Sequence, residues 1–144
     1  MRVVVQRCKN ASVTVNQKVV GYISDGLCLL VGFTHEDNEK TIEKMVGKIV
    51  KLRIFPDENG IMNKNVIDSN GSILSVSQFT LYADTSKGNR PSYMKALNGE
   101  QASKLYEYFN SELRKYIKVE TGIFGADMQV SLINMGPTTI LLEM

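Results

Sequence analysis

Apolar and polar positions along the chain predict many strands and two helices. Val3–Cys8 reads as a first strand. Ala11–Val15 and Lys18–Ile23 alternate apolar and polar residues, and Asn16-Gln17 between them supplies a turn, so this stretch predicts a hairpin. Leu27–Phe33 is apolar throughout apart from Gly32, as expected of a buried strand. Ile42, Met45, Val46, Ile49 and Val50 recur at helical spacing. They predict a helix from about Asn38 to Arg53, capped by Asp37 or Asn38. Phe55–Gly60 carries Pro, Asp, Asn and Gly and reads as a loop. Gly71–Leu81 predicts another strand, with Ile73, Leu74, Val76, Phe79 and Leu81 as core candidates. Ala83–Pro91 is a polar loop. A second helix starts near Asn98, with Gln101 three residues on in a capping-box-like arrangement, and buries Leu105, Tyr106, Phe109 and Leu113. Two strands, Met128–Asn134 and Thr138–Glu143, are joined by Met135-Gly136-Pro137.

These strands fall in hairpin-like groups, not in regular βαβ alternation, and no repeat, low-complexity segment or linker interrupts them. The expectation is one domain over residues 1–144 of mixed α/β class. Its β-sheets should be curled and barrel-like, in a ββα-type sandwich with two main helices packed on one side. Hydrophobic residues make up 43% of the chain and charged residues 22%, which suits a globular domain with its own core. A net charge of +2 is too small to argue for a grip on long DNA duplexes, but one end of an RNA remains a compatible partner. Cys8 and Cys28 lie in apolar runs without metal-ligand or disulfide-framework spacing, which favours a reducing, cytoplasmic setting. Gln6 and Arg7 interrupt the apolar start before a signal core could form, and Leu27–Phe33 is too short to span a bilayer.

Familiar catalytic patterns are missing. A Ser or Cys nucleophile needs a base within reach, and the single histidine, His35, sits in a polar segment where a solvated role is the plainer reading. No His/Cys cluster has metal-ligand spacing, and there is no Walker loop or Gly-x-Gly-x-x-Gly fingerprint. No metal or cofactor is therefore expected. Any enzyme built here would rely on backbone groups and on the substrate itself.

Two segments are specific: Ser77-Gln78-Phe79-Thr80-Leu81 and Asn134-Met135-Gly136-Pro137-Thr138-Thr139. Together they resemble the two signatures of D-aminoacyl-tRNA deacylases. Further matches lie in Met1–Arg7, in Lys87-Gly88-Asn89-Arg90-Pro91-Ser92 and in Phe124-Gly125-Ala126-Asp127-Met128. Met135 departs from the Asp often found before the Gly-Pro pair. The first motif points to the bacterial-type, D-specific branch. The resemblance implies a carboxylic ester hydrolase that removes D-amino acids from the 3′ end of tRNA in translation proofreading. Glycyl-tRNA is an expected additional substrate, because glycine has no side chain for a chiral filter to reject.

The resemblance further implies that the backbone around Ser77, Gln78, Phe79 and Thr80 binds the oxyanion, while the ribose 2′-hydroxyl helps activate water. It also implies a homodimer in which a cis Gly136-Pro137 bond enters the partner's pocket, with Leu81 and Met135 among the substrate-binding residues. Thr80 could instead be a nucleophile, although a strand-end hydroxyl without a base is the plainer reading. Phe79 suits either a pocket wall or the core. Lys87, Arg90 and Lys95 are candidates for RNA phosphate contacts because they lie close in sequence to the first motif. Lys40, Lys44 and Lys48 read as a solvated helix face beside Glu39 and Glu43. Two other readings stay open: a non-catalytic RNA-binding module, and a small-ester hydrolase using Thr80 or Ser77.

Overall fold

The computed structural model describes residues 1–144 and is mixed α/β. It opens on a long antiparallel hairpin of β1 (Arg2–Val15) and β2 (Lys18–Gly32). Asn16 and Gln17 make its turn with φ of 48° and 65°, the left-handed pair that matches strand twist. Helix α1 (Glu39–Lys51) follows, with the Asn38 side chain accepting from the Thr41 N–H. The stretch that reads as a loop after α1, Phe55–Gly60, begins with a short strand, β3 (Phe55–Pro56), which pairs with β4 (Met62–Lys64) just beyond it. Next come β5 (Ser72–Ser77), a 3-10 turn (Phe79–Tyr82), helix α2 (Gly99–Arg114), β6 (Val119–Thr121) and β7 (Gln129–Glu143). Asn98 caps α2 by accepting from the Gln101 N–H, and its amide donates back to the Gln101 side chain.

The main sheet runs β6-β5-β2-β1-β7. β5 lies parallel to β2 and β6, whereas β1 is antiparallel to both β2 and β7. Both faces are covered. On one, Val3, Val5, Leu27, Leu29 and Ile73 pack under the apolar stripes of α1 and α2, including Ile42, Met45, Ile49, Phe109 and Leu113. On the other, Cys8, Ala11, Val13, Ile23, Leu74 and Val76 form a smaller core, with Met128 and Leu132 packed against it. The helices therefore occupy one side and the curled sheet closes over the other, although β6 and β7 remain as open edges.

Several expected boundaries shift. Val3–Cys8 and Ala11–Val15 are parts of one strand, β1, and Lys18–Ile23 and Leu27–Phe33 are joined in β2, which ends at Gly32. The strand predicted to reach Leu81 stops at Ser77, and the chain turns there. The two closing strands are one strand, β7, that bulges instead of ending. Gln6 pairs with Thr139 and Cys8 with Asn134, so four residues, Met135–Thr138, stand opposite Arg7 alone. The parallel strand β6 carries no clear pattern of its own and is absent from the sequence reading.

Candidate active site

The turn after β5 exists because its neighbour runs out. Val31 and Ser77 form the last parallel pair, and the Gln78 N–H still donates to the Val31 carbonyl at 2.7 Å. Beyond that the chain crosses Gly32. A Cβ there would lie 2.9 Å from the Gln78 carbonyl oxygen and 3.1 Å from Leu81 Cβ, so only glycine permits the crossing. The Arg2 guanidinium donates to the Leu81 carbonyl at 2.8 Å and fixes the far end of the turn.

The turn opens on two donors that it does not itself engage. Leu81 N–H bonds the Gln78 carbonyl and Ala83 N–H the Thr80 carbonyl, whereas Phe79 and Thr80 precede the first bond of the turn and have no acceptor within it. These are the orphan donors that begin any helical turn. They lie beside a cleft of about 510 Å³ whose walls include Ser77, Gln78, Phe79, Ala102, Phe124 and Met128. Thr80 and Leu81 follow in the turn, outside that lining. The expected core position of Phe79 is corrected: its ring is exposed and meets the Tyr93 ring edge-on at 5.1 Å. Once the strand turns at Ser77, the alternation that would point Phe79 inward no longer holds.

Asp127 is the one carboxylate that lines the cleft, and no histidine or cysteine reaches it. The Thr80 hydroxyl accepts from the Gln78 amide, and His35 Nε2 lies 2.8 Å from the Met94 carbonyl oxygen. Burial pushes the Cys8 thiol up to about 11 and the Cys28 thiol up to about 12, so neither is a thiolate at neutral pH. No three His, Cys, Asp or Glu side chains converge on a common point.

The second motif sits elsewhere on the same subunit. Gly136 and Pro137 are exposed on the β7 bulge, joined by a cis peptide bond, and do not line the cleft. Arg7 holds the bulge. Its guanidinium donates to the Met135 carbonyl at 3.1 Å, to the Gly136 carbonyl at 3.2 Å and to the Ile54 carbonyl at 2.6 Å. Met135 borders a separate hollow of about 500 Å³ together with Arg7 and Lys64. The sequence assigns Arg7 no part in the site, because its place opposite the bulge is visible only once β1 and β7 are paired.

Of the three cations singled out for RNA, Lys87 and Arg90 are exposed and without an ion-pair partner, while Lys95 pairs with Asp84 at 2.9 Å. The Asp84 carboxyl is held well below the usual range, first by the Ser86 hydroxyl and N–H and then by Lys95. Lys40, Lys44 and Lys48 make no ion pair with Glu39 or Glu43; instead Glu43 accepts from the Tyr108 hydroxyl at 2.9 Å.

Fold and site together define a mixed α/β protein whose cleft is edged by backbone donors rather than by a catalytic triad. The chain belongs to the D-Tyr-tRNA(Tyr) deacylase family, whose model matches residues 4–143. It is 60% identical to a D-aminoacyl-tRNA deacylase of Brevibacillus brevis, over 99% of each protein. It is 56% identical to the protein of that name from Listeria monocytogenes, over 99% of this chain and 95% of the other. Among solved structures, one described as a c-Myc DNA Unwinding Element Binding Protein superposes with a TM-score of 0.94 at 45% identity, covering 100% of this chain and 99% of that one. A probable eukaryotic D-amino acid tRNA deacylase shares the fold, with a TM-score of 0.84 at 18% identity, over 98% of this chain and 97% of that one. No helix is long and apolar enough to cross a membrane.

Proposed function

We propose that this protein hydrolyses the ester bond of D-aminoacyl-tRNA, releasing free tRNA and the D-amino acid as a proofreading step in the cytoplasm. The observation that carries the reading is the turn after β5, whose leading N–H groups at Phe79 and Thr80 have no partner within the turn, beside a cleft that holds one carboxylate, Asp127, and no histidine or cysteine. An aminoacyl ester is already activated, and its main barrier is the developing negative charge on the carbonyl oxygen. Preorganised N–H donors stabilise that charge, by about 3 kcal/mol each in comparable sites. The ribose 2′-hydroxyl next to the ester assists the attacking water.

Chirality is the task of the bulge. In this reading two subunits associate about a two-fold axis, and each places Gly136-Pro137 in the other's cleft. Two observations support delivery from a partner. Neither residue reaches the cleft of its own subunit. A Cβ on Gly136 would meet nothing within 4 Å, and its φ is not in the left-handed region, so its own chain gives no reason for glycine. Close approach by another molecule would supply one. A rigid backbone wall rejects the L side chain and leaves glycine unopposed, so glycyl-tRNA is a substrate as well.

Deacylation of D- and L-tyrosyl-tRNA by the purified protein tests the reading. Hydrolysis of the D form alone is expected. Hydrolysis of neither indicates a binding module, whereas hydrolysis of both, with simple esters too, indicates a general esterase. Thr80→Ala should keep kcat within about tenfold of the parent, because its hydroxyl has no base to activate it. Near-complete loss with an unchanged circular dichroism spectrum would restore Thr80 as a nucleophile.

Arg7→Ala should relax selectivity. It strips charge-assisted hydrogen bonds from two bulge carbonyls, each worth about 1.5–3 kcal/mol. The ratio of D- to L-tyrosyl-tRNA turnover is expected to fall at least about tenfold. An unchanged ratio would mean that Arg7 does not hold the chiral wall.

A further inference from the structure

The segment between β5 and α2 presents apolar surface beyond the cleft. Phe79, 56% exposed, lines the cleft; the ring of Tyr93, 42% exposed, meets it 5.1 Å away, and Met94, 86% exposed, is next in the chain. Large side chains are seldom left in water in a group. These are not on a slack loop. Asp84 and Ser92 exchange two backbone hydrogen bonds at 2.8 and 2.9 Å, closing the segment at its base. Lys95 Nζ pairs with Asp84 at 2.9 Å. Thr34 Oγ1 donates to the Lys95 carbonyl at 2.6 Å, and His35 Nε2 meets the Met94 carbonyl at 2.8 Å. The backbone on both sides of Tyr93 and Met94 is thus fixed, and their side chains are held outward. Lys87 and Arg90, both exposed, lie between the paired residues Asp84 and Ser92.

A rigid aromatic and thioether platform, flanked by cations and continuous with a cleft for an RNA 3′ end, has the chemistry of a single-strand stacking site. Successive bases stack on aromatic faces while nearby Lys and Arg follow the phosphates. We propose that Tyr93, with Met94 beside it, stacks the unpaired nucleotide immediately 5′ of the aminoacylated terminal one. Lys87 and Arg90 then lie along the adjoining backbone. This deepens the deacylase reading and rests on it. The terminal nucleoside and amino acid occupy the cleft; the platform outside it recognises the strand that leads to them. A substrate consisting of the terminal nucleoside alone would not reach the platform.

The test compares D-tyrosyl-tRNA with D-tyrosyl-adenosine as substrates of the parent, Tyr93→Ala and Tyr93→Phe, with sedimentation of each variant. Hydrolysis of both substrates by the parent secures the underlying reading independently of Tyr93. For Tyr93→Ala, the ratio of kcat/KM for the tRNA to that for the adenosine ester is expected to fall about tenfold, the size of one lost stack. The fall should lie mainly in KM, and Tyr93→Phe should keep the parent ratio. Equal losses on both substrates would overturn the proposal and make Tyr93 a support for Phe79. A Tyr93→Ala protein that sediments as a smaller species than the parent would also overturn it, assigning the platform to a contact between subunits.

Discussion

Phe79→Pro is expected to lower kcat/KM for D-aminoacyl-tRNA about 10²–10³-fold below Phe79→Ala, the penalty typical of a lost oxyanion donor. The comparison isolates one hydrogen atom. Both variants lose the aromatic ring, but only proline loses the N–H. Two features favour proline at this position. Phe79 opens the 3-10 turn, where the missing N–H breaks no bond within that turn. The residue before it, Gln78, has φ −147° and ψ 81°, outside the helical region that proline disfavours in its predecessor. Single-turnover rates and thermal unfolding of both variants check this. Equal rates with equal stability would remove the Phe79 N–H from the mechanism and leave the Thr80 N–H as the remaining donor at the start of the turn.

A tRNA ending in 2′-deoxyadenosine, aminoacylated at the 3′ oxygen, should be hydrolysed about 10²–10⁴-fold more slowly than the native substrate, the usual range for losing a general acid–base contributor. The protein has little with which to compensate. Thr80 is bonded to the Gln78 amide, His35 to a backbone carbonyl, and both thiols are pushed up by burial. Asp127 is the one carboxylate lining the cleft, and the hydroxyl adjoining the ester is the polar group next to the reacting bond. Binding of the two substrates should be compared directly, so that a weaker complex is not mistaken for slower chemistry. Equal turnover at equal occupancy would require a base on the protein and would point to the Asp127 carboxylate.

The elements that the sequence made legible are those whose burial repeats with a local period. The hairpin through Asn16-Gln17 and both helices, with their Asn38 and Asn98 caps, follow from spacing and cap chemistry alone. The site was legible as motifs but not as geometry. Phe79-Thr80-Leu81 consists of good strand formers, and only the end of β2 at Gly32 makes the chain turn there. Likewise the Gly-Pro segment looks like a connection between strands. It is a bulge because β1 pairs with β7 on both sides of it, a long-range fact that no local pattern contains. The role of Arg7 depends on that same pairing. β6 is three residues long and held by its parallel contact with β5, so its sequence carries almost no period.

The bulge on β7 also bears on how this molecule avoids sticking to others. β7 is a sheet edge fifteen residues long, with Val130, Ile133 and Leu141 exposed along it. An uninterrupted edge of that length is a template for any extended chain, and fibrous aggregation is its common fate. Four residues facing one break the template near its middle, and proline removes a donor from the broken stretch. A foreign strand could zip along either half but could not cross from one to the other in register. The same kink that presents Gly136-Pro137 outward thereby divides a long adhesive edge into two short ones.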